Sequence, residues 1–342
     1  MERRLRILVY TLMIFLFSLT FPVTHAQIVP GLQNTLTLTV TPTYPKANES
    51  VFVKVESFSI DLNRAGISWF INGALEQARE GGTNFQFTAP PIGKAATIDV
   101  TAEIPNGVTE QTRVTIRPAD AQLIWQAHTY APSFYAGKKF PAVGSDISIE
   151  AVPNFIAENG RQLSASDLIY TWYVNGTIAQ SLSGKGRSSA TVSQTKPVQT
   201  LPVEVLVESA DQLLSHKTRI LIPMKNPEVL VYENNPLLGM LFNTTIKNTY
   251  RLAAEETKFT AFSFFMSLSG RNDAHISYLW KLDGTAIALG DDRSSITVNH
   301  SGDGSGVAKI DASVENTRDI FQKGSATFFV EFGEERSLLF NL

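Results

Sequence analysis

Apolar and polar residues alternate along most of this chain. Leu36, Leu38 and Val40 alternate with threonines, and Val51, Val53 and Val55 follow after a turn holding Pro42 and Pro45. Such alternation puts one set of side chains on one face of a β-strand. The same pattern recurs at Phe85/Phe87, Ile98/Val100/Ala102, Val114/Ile116, Leu123/Trp125, Ile147/Ile149, Val203/Val205/Val207 and Ile220/Ile222. It continues through Val229/Val231, a run holding Phe259, Phe262 and Phe264, then Ile296/Val298, Ile310/Ala312/Val314 and Phe328 to Phe332. Pro105-Asn106-Gly107 reads as a turn and Gly184-Lys185-Gly186 as a loop. No long window carries the 3.6-residue apolar period of a helix. The pattern predicts an all-β protein with almost no helix.

Three of the four tryptophans open the same short phrase. It reads Trp69-Phe70-Ile71-Asn72-Gly73, then Trp172-Tyr173-Val174-Asn175-Gly176, then Trp280-Lys281-Leu282-Asp283-Gly284. The phrase recurs after 103 residues and again after 108. Trp and the aliphatic residue two places on share a strand face, and Asn-Gly or Asp-Gly behind them signals a type I′ hairpin turn. About seven short strands per repeat, each repeat about 105 residues long, is the layout of a β-sandwich with its own core. The expectation is three tandem Ig-like β-sandwich domains in a rod, with Trp69, Trp172 and Trp280 as core residues and Phe70, Tyr173 and Lys281 pointing outward. Joints fall at Pro118-Ala119-Asp120 and between Pro223 and Pro227. The domains are then 27–119, 120–224 and 225–342.

The second and third repeats insert more chain between their first two strands than the first does. One insertion carries Tyr130, Phe134, Tyr135 and Phe140; the other carries Leu237, Leu238, Met240, Leu241 and Phe242. Loops are normally polar, so apolar ones either fold back on a neighbour or await a partner. These residues, Leu241 apart, are the candidate interaction surface.

Residues 1–26 read as a secretory signal peptide. Arg3, Arg4 and Arg6 precede an apolar run from Ile7 to Leu19, and Thr24-His25-Ala26 suits cleavage before Gln27. If the segment stays uncleaved, it is the chain's membrane anchor. Without it 26 basic residues face 31 acidic ones, a net charge of −5. A mildly acidic chain without basic runs carries no footprint for nucleic acid or anionic lipid. The absence of cysteine leaves neither an inter-sheet disulfide nor a lipoprotein anchor. Export to the cell envelope, as a periplasmic or cell-surface protein, follows, with unidentified envelope proteins as partners.

Catalytic chemistry finds no support in the sequence. His25, His128, His216, His275 and His300 lack metal-ligand spacing. The glycine-rich stretch from Ser301 to Gly306 feeds a strand rather than a helix that would hold phosphate. Asp291, Asp292 and Asp303 lack a calcium-loop pattern and read as turn carboxylates. Asn48, Asn175, Asn243 and Asn299 stand in short glycosylation sequons, a motif that occurs by chance. No catalytic, cofactor or metal site is assigned, and the chain is read as non-enzymatic.

The Trp-x-aliphatic-Asn/Asp-Gly phrase, set between short alternating strands over 36–332, resembles bacterial Ig-like and PKD-like domains. The layout of leader, three modules and no enzyme domain is similar to uncharacterised exported multi-Ig envelope proteins of candidate-phylum (Patescibacteria/Parcubacteria) bacteria. That resemblance implies a structural or protein-binding component of the envelope, accessory to a pilus or secretion assembly. The alternative function is a carbohydrate-binding or adhesion module.

Overall fold

A computed structural model describes residues 36–333, except 59, 105, 106, 108, 253, 254, 302 and 303. The expected leader and its cleavage point, the turn at Pro105-Asn106, and Asp303 lie outside the described residues. Strands account for the regular structure, apart from three short 3₁₀ turns.

The first repeat supplies β1 (Thr37–Thr41), β2 (Ser50–Glu56), β3 (Gly66–Ile71), β4 (Ala74–Glu80), β5 (Asn84–Thr88), β6 (Ala96–Glu103) and β7 (Thr109–Ile116). The second supplies β8 (Asp120–Ala127), β9 (Asp146–Asn154), β10 (Ile169–Val174), β11 (Thr177–Ile178), β12 (Gly184–Lys185), β13 (Ser189–Ser193), β14 (Thr200–Glu208) and β15 (Ser215–Pro223). The third supplies β16 (Glu228–Asn235), β17 (Gly239–Met240), β18 (Thr249–Arg251), β19 (Glu256–Phe264), β20 (Ile276–Leu282), β21 (Thr285–Ala286), β22 (Ser295–Asn299), β23 (Gly306–Asn316) and β24 (Lys323–Phe332). Gly184-Lys185 thus differs from the expected loop: it forms β12, paired antiparallel to the start of β10.

Each repeat makes the same two sheets. In chain order they run β1-β2-β5 with β4-β3-β6-β7, β13-β9-β8 with β11-β10-β14-β15, and β17-β16-β19-β22 with β18-β24-β23-β20-β21. The first, second and fifth main strands form one sheet; the third, fourth, sixth and seventh form the other. This is the strand order of Ig-like sandwiches, found three times in one chain. The third copy departs by adding β17 and β18, both from the stretch between its first two main strands.

Alternation places one face of each strand inside. In the second sandwich Ile147, Ile149 and Ala151 of one sheet meet Tyr170, Trp172, Val203, Val205 and Val207 of the other. In the third, Val229, Val231, Phe259 and Ala261 meet Tyr278, Trp280, Ile310, Ala312 and Phe328. Trp69, Trp172 and Trp280 are all fully buried. Phe70 and Tyr173 are half-buried, as is Lys281, and the Lys217 Nζ lies 4.6 Å from the Tyr173 ring centre.

The turn behind each Trp has positive φ at both central residues: 48° and 84° at Asn72-Gly73, 51° and 76° at Asn175-Gly176, and 50° and 85° at Asp283-Gly284. A type I′ turn requires this pair, which Asn/Asp followed by Gly adopts at least cost. The Asn72 and Asp283 carboxamide and carboxylate also accept the Thr97 and Lys309 N–H groups across the sheet, at 2.9 and 2.8 Å. In the second copy the equivalent partner is Pro202, which has no N–H; Asn175 instead donates through Nδ2 to Gln194 Oε1 at 3.0 Å.

Tyr170 is fully buried beside Trp172, and its hydroxyl has no hydrogen-bond partner. Burial pushes its pKa up to about 12. Tyr170→Phe removes an unpaired polar atom while keeping the ring. It is expected to raise stability by about 1 kcal/mol in denaturant titration, and a loss of that size would show an unseen partner.

The described residues group into two compact units. One holds those up to Val40 with Val53–Phe85 and Thr97–Val114; the other holds Thr41–Phe52, Gln86–Ala96 and those from Thr115 on. Within the first unit the Trp69 and Phe85 rings stack at 5.3 Å, joining β3 to β5 across the sandwich. The second unit contains the second and third sandwiches entire, and with them both apolar insertions.

Candidate functional site

The insertion after β8 is held in shape by its own turns. Tyr135 N–H donates to Pro132 O at 2.9 Å, Thr129 Oγ1 to Phe140 O at 2.9 Å, and Ser145 Oγ to Ala142 O at 2.5 Å. The Tyr135 ring packs against Gly137, where a Cβ would meet its ring carbon at 2.5 Å, so a larger residue there would displace the ring. The insertion is then pinned to the third sandwich by backbone. Tyr130 N–H donates to Met266 O, and Phe265 N–H donates to Tyr130 O, both at 2.7 Å.

Phe265 itself has φ of 64°. A bulky residue in the left-handed region carries strain of about 1–3 kcal/mol, which persists only where packing imposes it. The packing is visible. Strand β19 buries both faces: Phe259 and Ala261 in the third sandwich, Phe262 and Phe264 in a separate aromatic cluster. The left-handed turn breaks the alternation, so Phe265 joins Phe264 in that cluster while Met266 returns to the sandwich core.

Phe134 is the hub of the cluster. Its ring stacks on Phe242 at 3.9 Å and meets Tyr232, Phe262 and Phe264 edge-on at 5.5, 5.3 and 6.2 Å. Tyr135 meets Phe264 and Phe265 at 5.7 and 5.8 Å, and Phe140 meets Phe265 at 5.6 Å. Each such pair adds about 0.5–1.5 kcal/mol beyond its buried area. A polar clasp sits beside the cluster. Gln322, fully buried, donates through Nε2 to Val143 O at 3.0 Å and accepts the Ser267 N–H and Asn316 Nδ2 at 2.7 and 3.0 Å. The interdomain link is tied down too, with Lys225 N–H donating to Pro141 O at 2.9 Å.

The two insertions therefore meet. Tyr130, Phe134, Tyr135, Phe140, Met240 and Phe242 gather at one joint between the second and third sandwiches, although Phe242 keeps 42% of its surface exposed. Leu237 and Leu238 do not join them. They form the tip of the β16–β17 hairpin, 92% and 75% exposed, with their N–H groups held by Asn235 Oδ1. Sequence reading missed Phe264, Phe265 and Tyr232 as joint residues. The available signal was aromatic residues at both odd and even positions of one strand, which a one-sided strand does not need.

A cleft of about 580 Å³ opens beside the joint. Phe134, Tyr135, Phe140 and Phe242 line it with the buried Tyr232, Phe264 and Phe265, and Lys225, Asn226 and Glu228 supply its polar lining. The Lys225 ammonium lies 5.6 Å from the Phe140 ring centre, and the Lys138 ammonium 3.4 Å from that of Trp125.

Asp292 shows how a carboxylate elsewhere in this unit serves structure. Asp292 accepts from Ser294 Oγ and Ser295 Oγ at 2.6 and 2.7 Å, so it fastens a turn. Among the described residues, no three His, Cys, Asp or Glu side chains cluster as metal ligands. His216 is placed differently. It is 1% exposed, both ring nitrogens lack a hydrogen bond, and Nε2 stands 3.5 Å from Asp120 Oδ1. Burial holds its pKa below the ordinary value, against the pull of Asp120, with Lys46 lowering and Glu49 raising it further. The ring is therefore neutral at pH 7, and the Asp120 pair is not an ion pair there.

An unfolded histidine binds its proton near about pH 6.5. The native chain then binds fewer protons, so this stabilisation is complete above about pH 6.5 and is lost as pH falls through the lower native value. The urea midpoint should fall between about pH 7.5 and about pH 5.5, and His216→Gln should flatten that slope. An unchanged slope in the variant would assign the acid sensitivity elsewhere.

No family model matches the chain, and no curated protein matches it. Among solved structures it is similar to the fibronectin(III)-like modules of Clostridium thermocellum CbhA, at 9% identity and TM-score 0.28, over 55% of this chain and 94% of that one. It is similar to the central fibronectin-III array of RIM-binding protein, at 12% identity and TM-score 0.28, over 88% and 97%. It is also similar to Bacteroides ovatus SGBP-B of a mixed-linkage glucan utilization locus, solved with a mixed-linkage heptasaccharide, at 10% identity and TM-score 0.22, over 86% and 70%. The assignment of the fold rests on the strand order and paired sheets described above. They define a protein of tandem Ig-like sandwiches.

Proposed function

We propose that this chain is an exported, non-enzymatic structural or protein-binding component of the bacterial cell envelope, in the manner of the candidate-phylum multi-Ig proteins and accessory to a pilus or secretion assembly. In this reading 1–26 directs export, and 27–119, 120–224 and 225–342 are the three modules. The supporting observation is the aromatic joint. Both apolar insertions converge on it, and the left-handed Phe265, the Gln322 clasp and the tied Lys225 link act with them. A flexible string of binding beads has no need of a joint fastened by ring packing, paired backbone and a buried amide. A spacer that must hold its modules in fixed relation does.

The cysteine-free chain permits a clean test. Spin labels at Thr191→Cys and Ala286→Cys, on the second and third sandwiches, should give one narrow distance distribution by pulsed electron resonance. A broad distribution would overturn the spacer reading. Export is tested by fractionating the native host and sequencing the N-terminus: Gln27 in the envelope fraction supports it, and a cytoplasmic full-length chain refutes it.

A further inference from the structure

We propose that the cleft beside the aromatic joint is a docking site for an extended acidic peptide segment of a partner protein, anchored by one aromatic or aliphatic side chain. The proposal rests on the envelope-component reading and names the surface through which that component would hold its partner. The joint buries most of its rings, yet leaves the cleft open with Phe242 42% exposed on its wall. An exposed phenylalanine beside a ring-lined cleft is the apolar surface that a side-chain anchor fills.

Charge selects the occupant's sign. Lys225 lines the cleft and is exposed, and Lys138 and Lys139 are exposed beside it, on the loop that supplies Tyr135, Gly137 and Phe140 to its lining. Lys225 and Lys138 lie over the Phe140 and Trp125 rings rather than beside a carboxylate. Glu228 is the one carboxylate lining the cleft. Three ammonium groups in and beside the cleft, against one lining carboxylate, favour carboxylates flanking the anchor on a chain whose net charge is −3.

Ring geometry selects a peptide over a sugar. A pyranose needs a flat, open ring face. Here Phe264, Phe265, Phe140 and Tyr135 meet one another at 61° to 90°, and Phe134 spends one face on Phe242. The cleft presents ring edges around a hollow, which suits a single side chain.

The test uses the full chain and an array of synthetic octapeptides carrying a central Leu-Phe pair, flanked by Asp/Glu, by Ser/Gly or by Lys. A soluble mixed-linkage glucan and polygalacturonate serve as sugar probes. The acidic peptides should bind saturably and about 10-fold or more tightly than the neutral ones, with affinity falling as salt rises. Lys225→Glu should abolish that preference, and Phe242→Ser should weaken all the peptides, while Lys225→Glu leaves the melting temperature unchanged. Equal binding of acidic, neutral and basic peptides, no binding by any peptide, or saturable binding of either polysaccharide at this cleft would overturn the proposal. The narrow spin-label distance distribution tests the spacer reading separately, so docking can fail while that reading stands.

Discussion

Trp172→Ala is expected to cost about 3–5 kcal/mol, the range for deleting a large buried aromatic side chain, and to unfold the second sandwich ahead of its neighbours. The indole is fully buried between sheets and packs with Ile147, Ile149, Val203 and Val205. Its N–H also donates to Arg187 O at 2.9 Å, so truncation leaves a cavity and an unpaired carbonyl together. Hydrogen exchange should show lost protection across β9, β10 and β14 before β19 or β23. The three tryptophans give a sharper comparison as phenylalanine variants. Trp69 Nε1 donates to Gly82 O at 2.7 Å, whereas Trp280 Nε1 is buried with no acceptor. Trp69→Phe and Trp172→Phe each lose a hydrogen bond; Trp280→Phe loses an unpaired donor. The third should therefore be cheaper than the other two by about 1–3 kcal/mol in denaturant titration. Equal costs would show that cavity size alone governs all three sites.

Phe134→Ala is the second large effect. It removes the ring that touches Tyr232, Phe242, Phe262 and Phe264 at once. A loss of about 3–5 kcal/mol is expected at the joint, and the cores of the sandwiches on either side should survive. The spin-label distribution between Thr191→Cys and Ala286→Cys should broaden, and calorimetry should resolve separate transitions for the second and third sandwiches. Leu237→Ser with Leu238→Ser provides the contrast, because both side chains stand in solvent at the hairpin tip. That pair should leave the distribution and the melting temperature unchanged. If Phe134→Ala leaves the distribution narrow, the Gln322 clasp and the Tyr130–Met266 backbone pairing hold the joint without the rings.

The sequence determined the main apolar strands of each repeat, because alternation of side chains is a local property that a two-faced strand must display. It did not determine their number: the repeats hold seven, eight and nine strands, and the exposed β4 carries no apolar alternation. It did determine the Trp positions and the turns behind them. An Asn-Gly or Asp-Gly pair is favoured for positive φ whatever surrounds it, and φ is positive at all three pairs. Tertiary structure decided what the apolar insertions are for. Phe134 lies about 130 residues from Phe264, and nothing local to either ring says that they meet. The same limit hid the double-sided burial of β19. Its aromatic run was legible as a strand, but a second buried face exists only once another module's loop lies on it. The left-handed Phe265 was invisible for a stronger reason. Local propensity argues against that backbone for a bulky residue, and only the packing of a remote loop imposes it. Leu237 and Leu238 mark the opposite outcome: they read as apolar as their neighbours, yet lie past the reach of the joint. Local rules therefore sufficed for the sandwiches, while the joint between them was set by contacts between distant parts of the chain.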